Sequence, residues 1–323
     1  MNALRVGTAE GGPSPGMVAW VDGHFVPPAE AVISVGDAGF VFGATVTEQL
    51  RSFGGRLFLP AAHGARFRRS LEIVGIEPAW PVEHLFEVAA EVTARCHAAG
   101  PAEADLGVVV FATPGNAPAQ HGGRPGTSRV VIHAFPLAFA SWAGAYDTGV
   151  ALQSVSTTQI PPSCWPIELK CRSRMHYHLA DREARAAEPG ARALLFHADG
   201  RVSETSTANV VVVVNGALRT PPSGDALAGI SLAHLHTLSH GLGIGWQERS
   251  LSLADLAAAD EILLTSTPNC LLPVTRLDGQ AVGDGRPGPL FARLLAAWSH
   301  DVGIDIATQA RRCTGILPGG RGA

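Results

Sequence analysis

Residues 167–184, IELKCRSRMHYHLADREA, place Lys170 between an apolar strand end and an amphipathic helix that continues through Ala186. Lys170 is the single lysine among the 24 lysines and arginines of the chain. A guanidinium does not deprotonate in proteins, whereas a desolvated amine can lose its proton and attack a carbonyl. The segment therefore predicts a chemically active lysine with a lowered pKa and a fixed position. The alternative is an ordinary surface lysine.

Residues 200–216, GRVSETSTANVVVVVNG, place Glu204 in a short polar segment just before a very apolar strand. A carboxylate beside buried strands needs a partner, because an unpaired charge is costly to bury. This pattern makes Glu204 a candidate site residue. The alternative is an exposed glutamate in a turn.

Two further segments are candidates for binding a phosphate group. Gly229-Ile230-Ser231 lies at a predicted helix start, where free N–H groups and the helix dipole favour an anion. Thr265-Ser266-Thr267 brings three hydroxyls to a predicted strand end before Pro268. The alternative for Ser231 is a simple helix N-cap.

The secondary-structure pattern is mixed and rich in hairpins. A tight turn is predicted at Asp22-Gly23, which accepts positive φ values. Helices are predicted at 61–75, 82–99 and 231–241, with a helical segment at 251–260. Strands are predicted at 46–53, 106–112, 129–135, 150–154, 209–214, 244–249 and 261–265, with two more around the turn 198–200. This order favours an α+β fold over a doubly wound sheet.

The length of 323 residues suits two domains. Residues 138–148 lack periodicity and are predicted to be an interdomain linker. The expected boundaries are an N-terminal domain at 17–137 and a C-terminal domain at 149–312, with loose termini at 1–16 and 313–323.

Composition argues against several classes of partner. A net charge of −4 and a pI near 6.3 give no electrostatic basis for binding nucleic acid or an anionic membrane. No apolar run is long enough to cross a bilayer, and the N-terminus lacks a secretion pattern, so a cytoplasmic protein is expected. The five cysteines are scattered without CxxC spacing, which disfavours disulfides and a metal site.

Several motifs occur in the order found in class IV aminotransferases, the fold type IV enzymes that include branched-chain and D-amino acid aminotransferases and aminodeoxychorismate lyase. The resemblance runs from about Trp20 to Gly288. Its motifs are Trp20-Val21-Asp22-Gly23, Asp37 to Gly43, Glu48 with Arg51, His63 to Arg66, Lys170, Glu204, Leu227, Gly229 to Ser231, and Ser266-Thr267.

This resemblance implies a two-domain α+β fold, with a smaller α/β N-terminal domain and a larger barrel-like C-terminal domain. It also implies pyridoxal 5′-phosphate, bound to Lys170 as an aldimine, and a homodimer. The implied cofactor contacts are Arg66 to the phosphate, Glu204 to the ring nitrogen, Leu227 against the ring, and Gly229, Ile230, Ser231, Ser266 and Thr267 around the phosphate.

The substrate-facing positions depart from the family. Thr47 stands where an aromatic residue is usual, Met175 where a tyrosine is common (Tyr177 is near), and Pro114 where some members have a carboxylate-binding arginine. Arg172 or Arg174 could bind a substrate carboxylate instead; the alternative is a solvated helix face. The candidate substrate residues are Phe42, Thr47, Arg51, Arg172, Arg174 and Pro268.

The predicted function is transfer of an amino group between an amino acid and a 2-keto acid. Two alternatives stay open from the sequence. One is a lyase that eliminates pyruvate from aminodeoxychorismate through the same lysine. The other is an inactive relative that keeps the fold as a scaffold. The side chain and the stereochemistry of the substrate are also left open.

Overall fold

The computed structural model describes residues 16–315. The first half of the chain, residues 19–136, forms a six-stranded sheet with the order β2-β1-β6-β5-β3-β4. Its strands are β1 (Ala19–Val21), β2 (His24–Val26), β3 (Val46–Phe53), β4 (Arg56–Leu57), β5 (Leu106–Thr113) and β6 (Arg129–Pro136). Its helices are α1 (Ala38–Val41), α2 (Pro60–Val74) and α3 (Val82–Ala98). The β1–β2 turn has positive φ at Asp22 (45°) and Gly23 (96°), as predicted for an Asp-Gly hairpin.

Helices α2 and α3 cover one face of this sheet. Their apolar positions recur at helical spacing, and Phe67, Leu71, Leu85 and Val92 are buried against Leu50 of β3. Helix α2 ends at Gly75, which adopts φ 73° and so accepts the left-handed conformation that closes the helix. The other face of the sheet is thereby left to meet the second half of the chain.

The second half forms a nine-stranded sheet with the order β12-β11-β10-β13-β14-β7-β8-β9, and β15 pairs with β14. Its strands are β7 (Val150–Ser154), β8 (Arg192–Phe196), β9 (Val202–Thr205), β10 (Asn209–Val214), β11 (Ala217–Thr220), β12 (Trp246–Glu248), β13 (Glu261–Ser266), β14 (Cys270–Leu277) and β15 (Gln280–Ala281). Its helices are α4 (Ala145–Thr148), α5 (Met175–Ala187), α6 (Ile230–Gly241), α7 (Leu253–Ala257), α8 (Pro289–Val302) and α9 (Ile306–Arg312).

The second sheet curls because a short connection joins its last strand, β9, to the interior strand β10. Strand β9 ends the hydrogen-bonded path, yet shortly after Thr205 the chain enters β10, well inside the same sheet. The short connection draws the two strands together, and Thr205 N–H donates to the Ala208 carbonyl (2.9 Å). The expected α+β architecture, with a larger barrel-like second half, is confirmed.

Strand β10 is apolar on both faces because both of its faces are covered. Val211 and Val213 pack into one buried cluster with α6 and α8, while Val210 and Val212 pack into a second cluster on the opposite face. Side chains alternate along a strand, so a strand covered on both sides needs an uninterrupted apolar run. Strand β10 is therefore a central structural element of the second half.

Residues 138–148 are packed rather than extended. The expected linker contains α4, and Phe139, Trp142 and Tyr146 are buried in the cluster beneath α8. The Tyr146 hydroxyl donates to the Asn269 carbonyl (2.8 Å). Cys313, expected in a loose terminus, is buried in the same cluster. Of the loose ends expected at 1–16 and 313–323, residues 1–15 and 316–323 lie outside the described residues.

Asp105 joins the first sheet to α9. Its buried carboxylate accepts hydrogen bonds from Ser52 Oγ (2.6 Å), Gly54 N (3.2 Å), Gly55 N (3.2 Å) and Gln309 Nε2 (2.7 Å). Four donors on one buried carboxylate make it a structural joint between the two halves, because one acceptor serves β3, the β3–β4 turn and α9 at once.

We predict that Asp105→Ala lowers the free energy of unfolding by about 3 kcal/mol, since the buried Ser52 hydroxyl and three partly buried donors lose their common acceptor. Urea denaturation followed by circular dichroism measures the change. Asp147→Ala is the control, because Asp147 forms an exposed ion pair with Arg311 of α9. That variant should lose less than about 1 kcal/mol. Equal losses in the two variants would contradict the assigned role of Asp105.

Candidate active site

A cavity of about 280 Å³ lies where the two halves meet. Its walls come from β3, from the segment before α5, from the β9–β10 connection, from the start of α6, and from the end of β13. The predicted residues that line it are Thr47, Arg66, Lys170, Arg172, Arg174, Glu204, Leu227, Gly229, Ile230, Ser231, Ser266, Thr267 and Pro268. Residues that are far apart in sequence are thus brought around one space.

Lys170 is held by the backbone on both sides of its Cα atom. Its carbonyl accepts a hydrogen bond from Thr47 N (3.1 Å), and its N–H donates to Ser70 Oγ (3.2 Å). The next residue, Cys171, forms a β-bridge to Val46. Burial and then the charge of Arg66 lower the pKa of Lys170 to about 8. The amine is therefore positioned, and it is easier to deprotonate than an ordinary lysine.

Glu204 is buried on β9 and has two side-chain donors. Tyr177 Oη donates to Glu204 Oε1 (2.7 Å), and Gln159 Nε2 donates to the same oxygen (3.1 Å). Burial raises the pKa of Glu204, while the Tyr177 hydrogen bond and the charge of Lys170 act in the opposite direction. The carboxylate faces the cavity in a fixed orientation and can accept a further hydrogen bond.

Arg66 is oriented by a fully buried carboxylate. Its Nε and Nη2 donate to Glu48 Oε1 (2.7 Å) and Oε2 (2.8 Å), and His63 Nδ1 lies 2.7 Å from Oε2. Burial alone would raise the pKa of Glu48, but Arg66 and His63 bring it down to about 2. The remaining amino group, Nη1, donates to the Ala228 carbonyl (2.9 Å), next to the start of α6.

The start of α6 forms a narrow cradle. Gly229 precedes the first helical residue, and its carbonyl accepts from Ala233 N (2.9 Å). The N–H groups of a first helical turn have no intrahelical partners and favour an anion. A Cβ on Gly229 would lie 1.9 Å from Asn209 Oδ1, and Asn209 Nδ2 donates to the Leu227 carbonyl (2.8 Å). The cradle therefore requires glycine at this position.

Two of the predicted substrate residues do not line the cavity. Phe42 is 67% exposed at the end of α1. Arg51 is buried, and its Nη1 donates to the Pro268 carbonyl (2.8 Å) while its Nη2 donates to Gln309 Oε1 (3.1 Å). Arg51 thus supports the backbone behind the cavity, because it lies further along β3 than Thr47 and Gln49, which line it.

Several supporting roles escaped the sequence motifs: Glu48 as the partner of Arg66, Asn209 beneath the cradle, and Tyr177 with Gln159 on Glu204. A signal existed for Tyr177, which is one of two tyrosines and follows Lys170 closely in the chain. Gln159 carried none. Its contact depends on a loop folding back over α5.

The described part of the chain contains neither a metal cluster nor a membrane-spanning helix. No group of three or more His, Cys, Asp or Glu side chains in residues 16–315 could hold a metal ion. Over the same range, no helix combines the length and apolar character needed to span a membrane.

Comparison with known proteins agrees with the geometry. The model of the amino-transferase class IV family matches residues 45–277. The D-alanine aminotransferase of Staphylococcus haemolyticus is 28% identical over 278 residues, which cover 85% of this chain and 94% of that protein.

Solved structures give the same family. The branched-chain amino acid aminotransferase of Escherichia coli superimposes with a TM-score of 0.81 at 25% identity, covering 88% of this chain and 94% of that one. The T.th. branched-chain amino acid aminotransferase, complexed with N-(5′-phosphopyridoxyl)-L-glutamate, gives 0.79 at 25% identity, covering 92% and 96%. The chain therefore belongs to the class IV aminotransferase family and is an enzyme of that family.

Proposed function

We propose that this protein is a pyridoxal 5′-phosphate-dependent aminotransferase that moves an amino group between an amino acid and a 2-keto acid. The observation that carries the proposal is the lining of one cavity by Lys170, Glu204 and Arg66. The related T.th. enzyme holds a phosphopyridoxyl derivative of glutamate, which supports this choice of cofactor. The relatives compared above are aminotransferases, which favours transfer over elimination.

The donor set fits this cofactor at three points. Lys170 offers an amine of lowered pKa for the aldehyde carbon, and Glu204 offers a buried acceptor for the protonated ring nitrogen. Arg66 and the cradle at Gly229 offer donors for the phosphate, with Ser266 and Thr267 beside them. Leu227 lines the cavity as an apolar surface for the ring.

The chain's own residues then have separate tasks. Pyridoxal phosphate supplies a carbonyl that condenses with amines and a ring that withdraws electrons from the substrate Cα–H bond. Lys170 Nζ, in its neutral form, accepts the proton that leaves the substrate Cα and acts afterwards as the acid. Glu204, held by Tyr177 and Gln159, keeps the ring nitrogen protonated. Arg66 binds the phosphate in an orientation set by Glu48.

We predict that borohydride treatment with pyridoxal phosphate attaches one phosphopyridoxyl group to Lys170, because no other side-chain amine exists in the sequence. Mass spectrometry of the digested protein locates the label. Lys170→Arg keeps the charge but cannot be reduced onto the cofactor, so it should carry no label at this position. A label confined to the N-terminal amine of the wild type would rule out Lys170 as the attachment site.

We also predict the pH dependence of this capture. Only the neutral amine attacks, so the rate with pyridoxal should rise with pH and level off above the lowered pKa of Lys170, about 8. An unperturbed lysine would still be gaining reactivity near about pH 10. The Lys170→Arg variant measures the contribution of the N-terminal amine, which is subtracted. If the wild-type rate, after this subtraction, reached half of its maximum only at about pH 10, Lys170 would titrate as an ordinary lysine. That result would contradict the lowering of its pKa by burial and Arg66.

Gly229→Ala should weaken cofactor binding about tenfold or more, because the added Cβ displaces Asn209 or the helix start and costs about 1–2 kcal/mol of anion binding. Absorbance titration of cofactor-free protein with pyridoxal phosphate gives the affinity. Gly241→Ala, at the other end of α6, is the matched control because a Cβ there meets nothing within 4 Å. Unchanged affinity of Gly229→Ala for pyridoxal phosphate would contradict the proposal that the start of α6 binds the phosphate.

A further inference from the structure

Three arginines line the cavity, and two of them already have partners. Arg66 is held by both oxygens of Glu48. Arg174 donates to the Ser206 carbonyl and lies over the Tyr177 ring, 4.5 Å from its centroid. For Arg172, the described part of the chain offers neither a carboxylate within ion-pair distance nor a hydrogen-bond acceptor for the guanidinium. Arg172 is solvent-exposed, and among the described residues it is the cavity arginine whose guanidinium is free to bind an anion from outside the protein.

Arg172 is directed by the same backbone contacts that position Lys170. Its N–H donates to the Thr45 carbonyl (3.1 Å), which continues the pairing of Lys170 with Thr47 along the edge of β3. Residues two apart in an extended segment point to the same side, so Arg172 and Lys170 share the cavity side. The guanidinium carbon lies 5.4 Å from the Phe111 ring centroid. The ring limits the positions that the guanidinium can take.

On the side of the first sheet, the residues around Arg172 are uncharged or weakly basic. Phe111 is paired with Thr47 in the first sheet, and Gln49 lines the cavity on the same strand. Burial lowers the pKa of His133 of β6, and the nearby charge of Arg172 lowers it further. A carboxylate bound here would meet the charge of Arg172, with Arg174 close by, while Glu204, the acidic side chain that lines the same cavity, already accepts from Tyr177 and Gln159.

The cofactor phosphate does not account for this charge, because Arg66 and the start of α6 already serve it. The other anion in the proposed reaction is the α-carboxylate that the amino donor and the keto acceptor have in common.

We infer that Arg172 is the substrate-carboxylate binding residue of this enzyme, and that it orients the α-carboxylate of both the amino acid and the 2-keto acid. The inference rests on the proposed function. Guanidinium and carboxylate match in a two-point hydrogen-bonded geometry, so the contact fixes orientation as well as affinity. Amines that lack a carboxylate would gain nothing from it.

The test compares alanine with isopropylamine, in which a methyl group replaces the carboxylate. Cofactor-loaded protein is mixed with D-alanine, L-alanine or isopropylamine, and the decay of the cofactor absorbance gives the rate constant of the half-reaction. Arg172→Gln should lower the constant for the preferred alanine about 10- to 100-fold, the range for a hydrogen bond to a charged group. The constant for isopropylamine should not change.

Two further variants sharpen the comparison. Arg172→Lys keeps the charge without the two-point geometry, and it should fall between the wild type and Arg172→Gln. Arg182→Gln removes an exposed arginine from α5 outside the cavity and should behave as the wild type. An equal loss with alanine and isopropylamine would overturn the inference, because it would indicate general damage to the site.

Binding of propanoate, measured by calorimetry on cofactor-loaded protein, gives a readout that requires no turnover. We expect Arg172→Gln to weaken propanoate at least tenfold and Arg182→Gln to leave it unchanged. Equal affinity in wild type and Arg172→Gln, or no binding to the wild type, would overturn the inference. If the wild type reacts with neither alanine enantiomer nor any member of a panel of other L- and D-amino acids, the proposed function fails, and the propanoate comparison still decides the role of Arg172.

Discussion

The pairing of residues 170–172 with the edge of β3 is the contact on which the site depends. It uses backbone groups, namely Lys170 O with Thr47 N and Arg172 N with Thr45 O. Backbone pairing imposes alternation, so the amine and the guanidinium are directed by the same register and not by their own side-chain contacts. The same bonds connect the segment before α5 to the first sheet, which closes the cavity between the two halves.

The charged side chains near this contact act on one another, from Glu48 to Arg66 and from Arg66 to Lys170. Glu48 is buried on the helix-covered face of β3, where it stays ionised because Arg66 and His63 both contact it. Arg66 in turn lowers the pKa of Lys170, after burial. Removing the carboxylate would therefore leave the arginine without its orienting partner and a positive charge uncompensated in a partly buried place. The lowered pKa of the amine and the orientation of the Arg66 side chain have a common origin.

Strand β3 serves two purposes because its side chains alternate. Glu48 and Leu50 point toward α2 and α3, whereas Thr47 and Gln49 line the cavity. Arg51 continues the second row but lies beyond the cavity, where it holds the Pro268 carbonyl and meets Gln309 of α9. An arginine in a family motif thus holds the backbone of the cavity wall and does not itself line the cavity.

Local chemistry accounts for much of the secondary structure. The spacing in 61–75 and the Gly75 C-cap, the Asp22-Gly23 turn and the valine run of β10 all appear where the pattern places them. Helix α8 also carries a helical pattern, with Phe291, Leu294 and Trp298 buried. Strand β14 is not evident from its sequence, because Pro273 removes a donor and ordinarily argues against a central strand.

The sequence by itself determined the family, the single amine, and the motifs that surround it, because these depend on residue type and order. The tertiary structure decided which of those residues share a space. Arg51 and Phe42 lie outside the cavity lining. Tyr177 and Gln159 hold Glu204, and Asn209 holds the Leu227 carbonyl. The physical reason is that strand register and the curl of the second sheet set the distances between residues far apart in the chain, and no local pattern encodes those distances.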